Sequence, residues 1–289
     1  MNGILNVFKP TGMTSFDVVR IIRKISNVKK VGHAGTLDPE ASGVLAVCIG
    51  KATKAIDYIM GDFKIYEAEL KLGVTTDTYD REGKILKESE VNSSDEEITR
   101  VINSFVGENN QIPPMYSALK VNGKKLYELA RAGIEIERKP RAIVIYSIDI
   151  MDVKSPYIKF RVKCSKGTYI RSLCYDIGET LKCGGMMWNL QRIATGQFHI
   201  DDSINVNELN VENLQKHIIP IEKIFQDNTK IVIEDRFVKF LLNGVVVKDK
   251  ALTCKFEVNN MYSIYNNEND FIGIADKSID GIRLIKSFI

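Results

Sequence analysis

Gly32-His33-Ala34-Gly35-Thr36-Leu37-Asp38-Pro39-Glu40-Ala41-Ser42-Gly43 places three glycines and a proline within twelve residues, directly ahead of the apolar run Val44 to Ile49. Glycine and proline punctuate regular structure, so the stretch reads as a loop feeding a buried strand. Within it Asp38 has the bland role of a turn residue before proline. His33 has that of a satisfied loop or core histidine. Gly32-x-x-Gly35 lacks the G-x-x-x-x-G-K-S/T spacing of a phosphate loop, which sets a nucleotide-binding reading aside. Residue types alone leave the chemistry of Asp38 open.

Upstream, Thr14 or Ser15 can cap a helix whose apolar residues Val18, Ile21, Ile22 and Ile25 recur at helical spacing, with Arg20, Arg23 and Lys24 facing outward. Downstream, Lys64 to Leu72 alternates, which puts Tyr66, Ala68, Leu70 and Leu72 on the inward face of a strand. Ser94-Asp95-Glu96-Glu97 reads as a capping box for a helix carrying Ile98, Val101, Ile102 and Phe105, ended by Gly107. Gln111-Ile112-Pro113-Pro114-Met115-Tyr116-Ser117 resists regular structure and leads into a protruding, lysine-rich insertion, about 108–141, with a short helix near Leu126 to Ala132. Residues 142–165 return to strand pattern. Gly167 and Thr168 break it, and Ile170, Leu173, Cys174 and Ile177 restore helical spacing up to Gly178. Tyr169 and Arg171 thus fall at a strand-to-helix junction, where rigid elements on either side can hold functional groups. The polar run Gln226-Asp227-Asn228-Thr229 marks a boundary between domains 1–228 and 229–289. Beyond it lie a helix at Phe237 to Leu242 and strand-like runs near Val245, Met261, Phe271 and Ile282, a small and mostly β module.

A chain of 289 residues exceeds one average domain, in keeping with that division. With 44% hydrophobic and 27% charged residues it is neither disordered nor fibrous. No apolar run reaches the roughly 18 residues a membrane span needs, and Lys9 and Pro10 interrupt the beginning, so a cytoplasmic protein is expected. Five cysteines without a C-x-x-C read as reduced core thiols, and three histidines without metal-pair spacing predict no metal. The net charge of +3 conceals an asymmetry. Residues 1–30 carry six basic side chains against Asp17 alone, and residues 111–141 carry seven against three acidic ones. Two basic faces on a nearly neutral chain are compatible with a polyanionic partner.

Asn6-Val7-Phe8-Lys9-Pro10-Thr11-Gly12-Met13-Thr14-Ser15, Gly-His-x-Gly-x-Leu-Asp-Pro at 32–39, Lys64-x-Tyr66, Gly73 through Asp80, the run from Gln111 to Lys120, and Gly167-Thr168-Tyr169-Ile170-Arg171-Ser172-Leu173 together resemble the bacterial tRNA pseudouridine synthases of the TruB type. The likeness extends over about residues 3–225, and the C-terminal module is more loosely similar to that family's PUA-like RNA-binding domain. The resemblance implies an α+β fold with a central mixed, mainly antiparallel sheet. It implies isomerisation of a uridine in the T loop of tRNA, position 55, to pseudouridine, with no cofactor, tRNA (T arm and elbow) as partner, and a monomer without an obligate protein partner. By the same likeness Asp38 is the nucleophile, toward either base or sugar. A carboxylate of ordinary pKa near about 3.9 is ionised at neutral pH and suits that role. Arg171 pairs with it. Tyr66 packs on the base and is a candidate for removing the C5 proton, although a phenol with a pKa of about 10 needs help to act as a base. Tyr169 and Leu190 line the uracil pocket. His33 fills the space left by the extruded base, where stacking worth about 1–3 kcal/mol offsets the cost of flipping. The insertion closes over the T loop, with Lys9, Lys120, Lys124 and Lys125 as RNA contacts.

Two departures from the family pattern bear on RNA affinity. Leu190-Gln191-Arg192 stands where Leu-Arg-Arg is common, removing one positive contact, and Met186-Met187-Trp188 replaces a more polar stretch. The competing function is a non-catalytic tRNA-binding or tRNA-folding module, which needs the basic faces but not Asp38. An aspartate-nucleophile phosphatase would want further carboxylates around a metal, and the sequence offers no such cluster.

Overall fold

A computed structural model describes residues 1–61, 63–121 and 123–289. The chain runs β1 (Gly3–Lys9), α1 (Ser15–Ser26), β2 (Val31–His33), β3 (Ser42–Ile49), α2 (Ile56–Gly61), β4 (Lys64–Leu72), β5 (Val74–Thr76), β6 (Ile85–Glu88), α3 (Asp95–Asn103) and β7 (Gly107–Gln111). It continues through β8 (Lys120–Val121), β9 (Lys124–Lys125), α4 (Leu126–Arg131), β10 (Arg141–Lys154), β11 (Tyr157–Cys164), α5 (Ile170–Thr180), β12 (Gly185–Thr195), β13 (Phe198–His199) and β14 (Ile204–Asn205). The last elements are β15 (Thr229–Val232), α6 (Asp235–Leu242), α7 (Lys250–Thr253), β16 (Met261–Tyr265), β17 (Phe271–Ser278) and β18 (Gly281–Ser287).

One ten-stranded sheet, ordered β14-β1-β3-β12-β4-β11-β10-β7 with β2 and β13 attached at β3 and β12, forms the body of the molecule. Most pairs are antiparallel. The β1–β14 and β3–β12 pairs are parallel. The second of these is short, only Gln191↔Ser42 and Arg192↔Gly43, and it lies in the middle of the sheet. Gly43 makes it possible. Its φ is +112°, and a Cβ there would come within 2.2 Å of the Arg192 carbonyl oxygen.

The alternation in β4 buries Ala68, Leu70 and Leu72 against Phe160 and Val162 of β11 and against Leu173 and Ile177 of α5. Helix α1 is amphipathic as its spacing predicts. Thr14 caps it in a reciprocal capping box with Asp17, and Val18, Val19 and Ile22 are buried against Leu5, Leu45 and Val47. Three sequence expectations shift locally. His33 ends strand β2, paired to Val47, instead of lying in a loop. Helix α3 stops at Asn103, four residues before Gly107, which opens β7. Val245 belongs to no strand, and the chain first bridges to β18 at Val247.

The insertion also has tighter bounds. Residues 108–111 and 141 belong to the large sheet, because β7 and β10 pair from Gln111↔Arg141 to Gly107↔Ile145. The segment outside that pairing is 112–140. A separate sheet, β15-β16-β17-β18, begins at Thr229. It is not detached. Phe271 stacks on Phe225 and Phe288 lies tilted against it, with ring centroids 6.0 and 5.6 Å away, and Ile274 and Phe288 share a buried cluster with Ile4, Val44 and Ala46 of the large sheet. Four cysteines are buried thiols, whereas Cys254 is exposed. No helix among the described residues is long and apolar enough to cross a membrane.

Candidate active site

The loop from β2 to β3 carries Asp38, and side chains from distant elements fix its backbone. Ser15 Oγ, at the start of α1, donates to the Leu37 carbonyl (3.0 Å) and accepts from the Leu37 amide (2.8 Å). Lys9 Nζ, at the end of β1, donates to the carbonyls of Pro39, Pro10 and Met13 at 3.1, 2.9 and 2.8 Å. Arg192 of β12 donates from Nε to Val44 O (2.7 Å) and from Nη2 to Gly35 O (3.1 Å). Each of these cations is buried among carbonyl oxygens, which lowers the cost of leaving water. The loop is held from three directions.

Onto this loop α5 projects Arg171. Its Nη2 lies 3.0 Å from Asp38 Oδ2 and donates to Tyr116 O of the insertion at 2.8 Å, while Nη1 faces Asp80 Oδ2 at 3.5 Å. The Arg171 side chain is 7% exposed and that of Asp38 is 40% exposed, so the pair has a protected and an accessible end. A carboxylate oriented by a buried guanidinium, with one side open, suits nucleophilic attack on an incoming group.

Tyr66 lies across from Arg192 in the β4–β12 register and packs against the same core cluster as Leu190. Burial pushes its phenol above the usual range, and Arg192 opposes that through its charge and a hydrogen bond. Burial, aided by the Arg192 charge, pushes the His33 imidazole down, which favours the neutral ring at physiological pH. Tyr169 occupies the N-cap of α5. Its amide donates to Gln111 Oε1 (2.8 Å), and Gln111 Nε2 donates back to its carbonyl (3.0 Å). The α5 start is thereby tied to the last residue of β7, where the insertion leaves the sheet. Burial pushes the Tyr169 phenol up as well.

Lys9 requires a correction. Placed by sequence among the RNA contacts, it is fully buried, because its ammonium is consumed by the three carbonyls that shape the Asp38 loop. Desolvation lowers its pKa to about 8, against the opposing pull of Asp38 and Glu40. Lys120 and Lys124 stand exposed on the β8–β9 hairpin. Lys125 is half-buried, with its ammonium 5.3 Å from the centre of the Tyr127 ring.

The chain is similar to known proteins along its length. A model of the TruB family pseudouridylate synthase N-terminal domain matches residues 23–170, and one of the tRNA pseudouridylate synthase B C-terminal domain matches 171–226. Proteins named tRNA pseudouridine synthase B are 56% identical in Clostridium novyi (strain NT), over 99% of both chains, and 54% identical in Clostridium tetani (strain Massachusetts / E88), over all of both. The chain belongs to the TruB family of pseudouridylate synthases. The class is an isomerase. Among solved structures, a Cbf5-Nop10-Gar1 complex aligns with a TM-score of 0.73 at 26% identity, covering 99% of this chain and 85% of that one.

Within this TruB-family chain, sequence reading brought Asp38, Arg171, Tyr66, Tyr169, Leu190 and His33 forward. It missed Asp80, Gln111 and the placement of Arg192. Asp80 and Gln111 lie inside stretches quoted for the resemblance, yet nothing local distinguishes them from turn and strand-end residues. The Trp188 departure is also clarified. Its ring has Lys71 Nζ at 5.0 Å and Arg81 Cζ at 5.9 Å, and Arg81 Nη2 lies 3.1 Å from Glu40 Oε2, two residues beyond Asp38. Two cationic side chains from outside the altered stretch flank this ring, one of them, Arg81, paired with Glu40 and Glu82.

Proposed function

We propose that this chain isomerises a uridine of the tRNA T loop, position 55, to pseudouridine, with the Asp38 carboxylate as nucleophile after the base is flipped out of its loop. The tRNA part rests on the full-length relatives named tRNA pseudouridine synthase B. The observation that carries the chemistry is the buried Arg171 guanidinium 3.0 Å from a carboxylate that remains open on one side. In the reaction the C1′–N1 bond breaks, the uracil turns and the C1′–C5 bond forms. C5 loses a proton and N1 gains one, so the product is an isomer. Tyr66, with the Arg192 charge beside it, is the group proposed to hold the base and accept the C5 proton. A phenol whose burial disfavours ionisation needs that adjacent cation. His33, a neutral ring, stacks in the vacated space, and Tyr169 and Leu190 bound the uracil. Residues 112–140, carrying Lys120, Lys124 and Lys125, close on the RNA backbone.

A chain that only bound tRNA would need the basic insertion but no Arg171–Asp38 pair. Tritium release from a [5-³H]uridine-labelled, unmodified tRNA transcript separates the two. Release by the wild type, none by Asp38→Asn, and none when the target uridine is replaced by cytidine supports the synthase. Salt-sensitive tRNA binding without release leaves a binding module.

A further inference from the structure

Phe16 is the second residue of α1, and its ring is 54% exposed on a surface that otherwise carries charge. Single exposed apolar residues are ordinary. This one has three features that together are not.

Its ring is paired with a cation, since the Arg23 guanidinium lies 5.4 Å from the ring centre. Arg23 is itself anchored, with Nη2 donating to the Val31 carbonyl at 3.0 Å, so ring and guanidinium form a prepared surface. The surroundings are electropositive. Arg20 and Lys24 follow Phe16 at successive helical turns and are exposed, Arg20 in an ion pair with Asp17, and Lys29 and Lys30 lie just beyond the helix, which leaves the surface net positive. The location is the site's own margin. Ser15, beside Phe16, is bonded twice to Leu37, and Val31, which receives Arg23, is two residues from His33. Helix α1 is thereby tied to both ends of the stretch from Val31 to Leu37, next to Asp38.

We infer that Phe16, backed by Arg23, is a stacking platform for an unpaired RNA base next to the target nucleotide. Lys24 would face a flanking phosphate. The chemistry favours RNA over an apolar protein partner: a lone aromatic face within a cationic surface matches a base in a polyanion and would leave an apolar partner facing desolvated charges. Flipping one nucleotide out of a loop unstacks its neighbours, and an exposed ring at the margin offers one of them a new partner. This inference rests on the proposed RNA substrate.

The test is the dissociation constant of unmodified tRNA transcript at fixed salt for the wild type, Phe16→Ala, Phe16→Leu and Phe16→Trp. Phe16 is more than half exposed, so all three variants should fold, which thermal melting checks. Expected is about ten-fold weaker binding for Ala and Leu, within the range for loss of one base stack. Trp should retain wild-type affinity, with an unchanged salt slope throughout because no charge is altered. Wild-type affinity in Phe16→Ala overturns the platform, and so does wild-type affinity in Phe16→Leu, which would reveal a merely apolar contact. Binding needs no turnover, so the two readings separate. A wild type that binds tRNA in a Phe16-dependent way but forms no pseudouridine sinks the catalytic proposal alone. A wild type that does not bind tRNA sinks both.

Discussion

Arg171 is shared among four acceptors: the Asp38 carboxylate, the Asp80 carboxylate and the carbonyls of Tyr116 and Thr78. Only a planar, forked donor can serve groups in those directions at once, so Arg171→Lys keeps the charge and loses the geometry. Single-turnover rates for Arg171→Lys are expected to fall about a hundred-fold, the scale on which a displaced reacting group slows chemistry, with RNA affinity little changed. Tyr66→Phe separates the ring from the phenol. It should bind tRNA like the wild type while pseudouridine formation drops by about 10²- to 10⁴-fold, the usual worth of a positioned proton acceptor. A tight-binding but active Tyr66→Phe would remove the phenol from the mechanism. At this scale the sequence was legible where a side chain acts through its own chemistry. Asp38 could be singled out by family pattern, yet its pairing with Arg171, 133 positions away in the chain, is a distance that no local spacing encodes.

The loop carrying Asp38 contributes little regular structure of its own, and its shape is imposed by β1, α1 and β12 through Lys9, Ser15 and Arg192. Lys9 gives this a pH signature. Its pKa is about 8 in the folded chain against 10.5 ordinarily, because burial penalises the ammonium. Between those values the unfolded chain holds a proton that the folded chain has released, so this group's contribution makes stability rise with pH from about 8 to 10.5. Below pH 8 the penalty is fully present and constant. Denaturant titrations should therefore show an alkaline rise in the wild type relative to Lys9→Met, and parallel curves across that window would refute the assignment. Lys9→Met should also slow catalysis, since it frees the carbonyl of Pro39 next to the nucleophile. Periodicity found helix α1 and strand β4, because amphipathic patterns report which face meets a core. The charge count and the resemblance gave Lys9 to the surface, because a lysine's type predicts exposure and only the three carbonyls converging on it predict burial.

Across the whole molecule, the two sheets are joined by an aromatic cluster of Phe225, Phe271 and Phe288, so they share a core although each has its own strands. Phe288 is 4% exposed, and Phe288→Ala should cost about 3–5 kcal/mol. Calorimetry is expected to show one transition moved to lower temperature; an early melt of residues 229–289 alone, with the rest unmoved, would mean the sheets are energetically independent. The insertion is coupled to the site at its root, where Arg171 holds Tyr116 O and Ser172 Oγ donates to Ile112 O at 2.9 Å. Local periodicity located most of the helices and strands, and the ordered motifs carried the resemblance to the family and with it the expected fold. What folding adds is which further groups meet: Asp80 beside the Arg171 that the resemblance had already paired with Asp38, Arg192 with Tyr66, and a lysine consumed in shaping a loop. The reason is physical. Periodicity records only whether a residue faces a core or water, whereas ion pairs, hydrogen bonds and depressed pKa values depend on distances between residues that the chain separates and the sheet brings together.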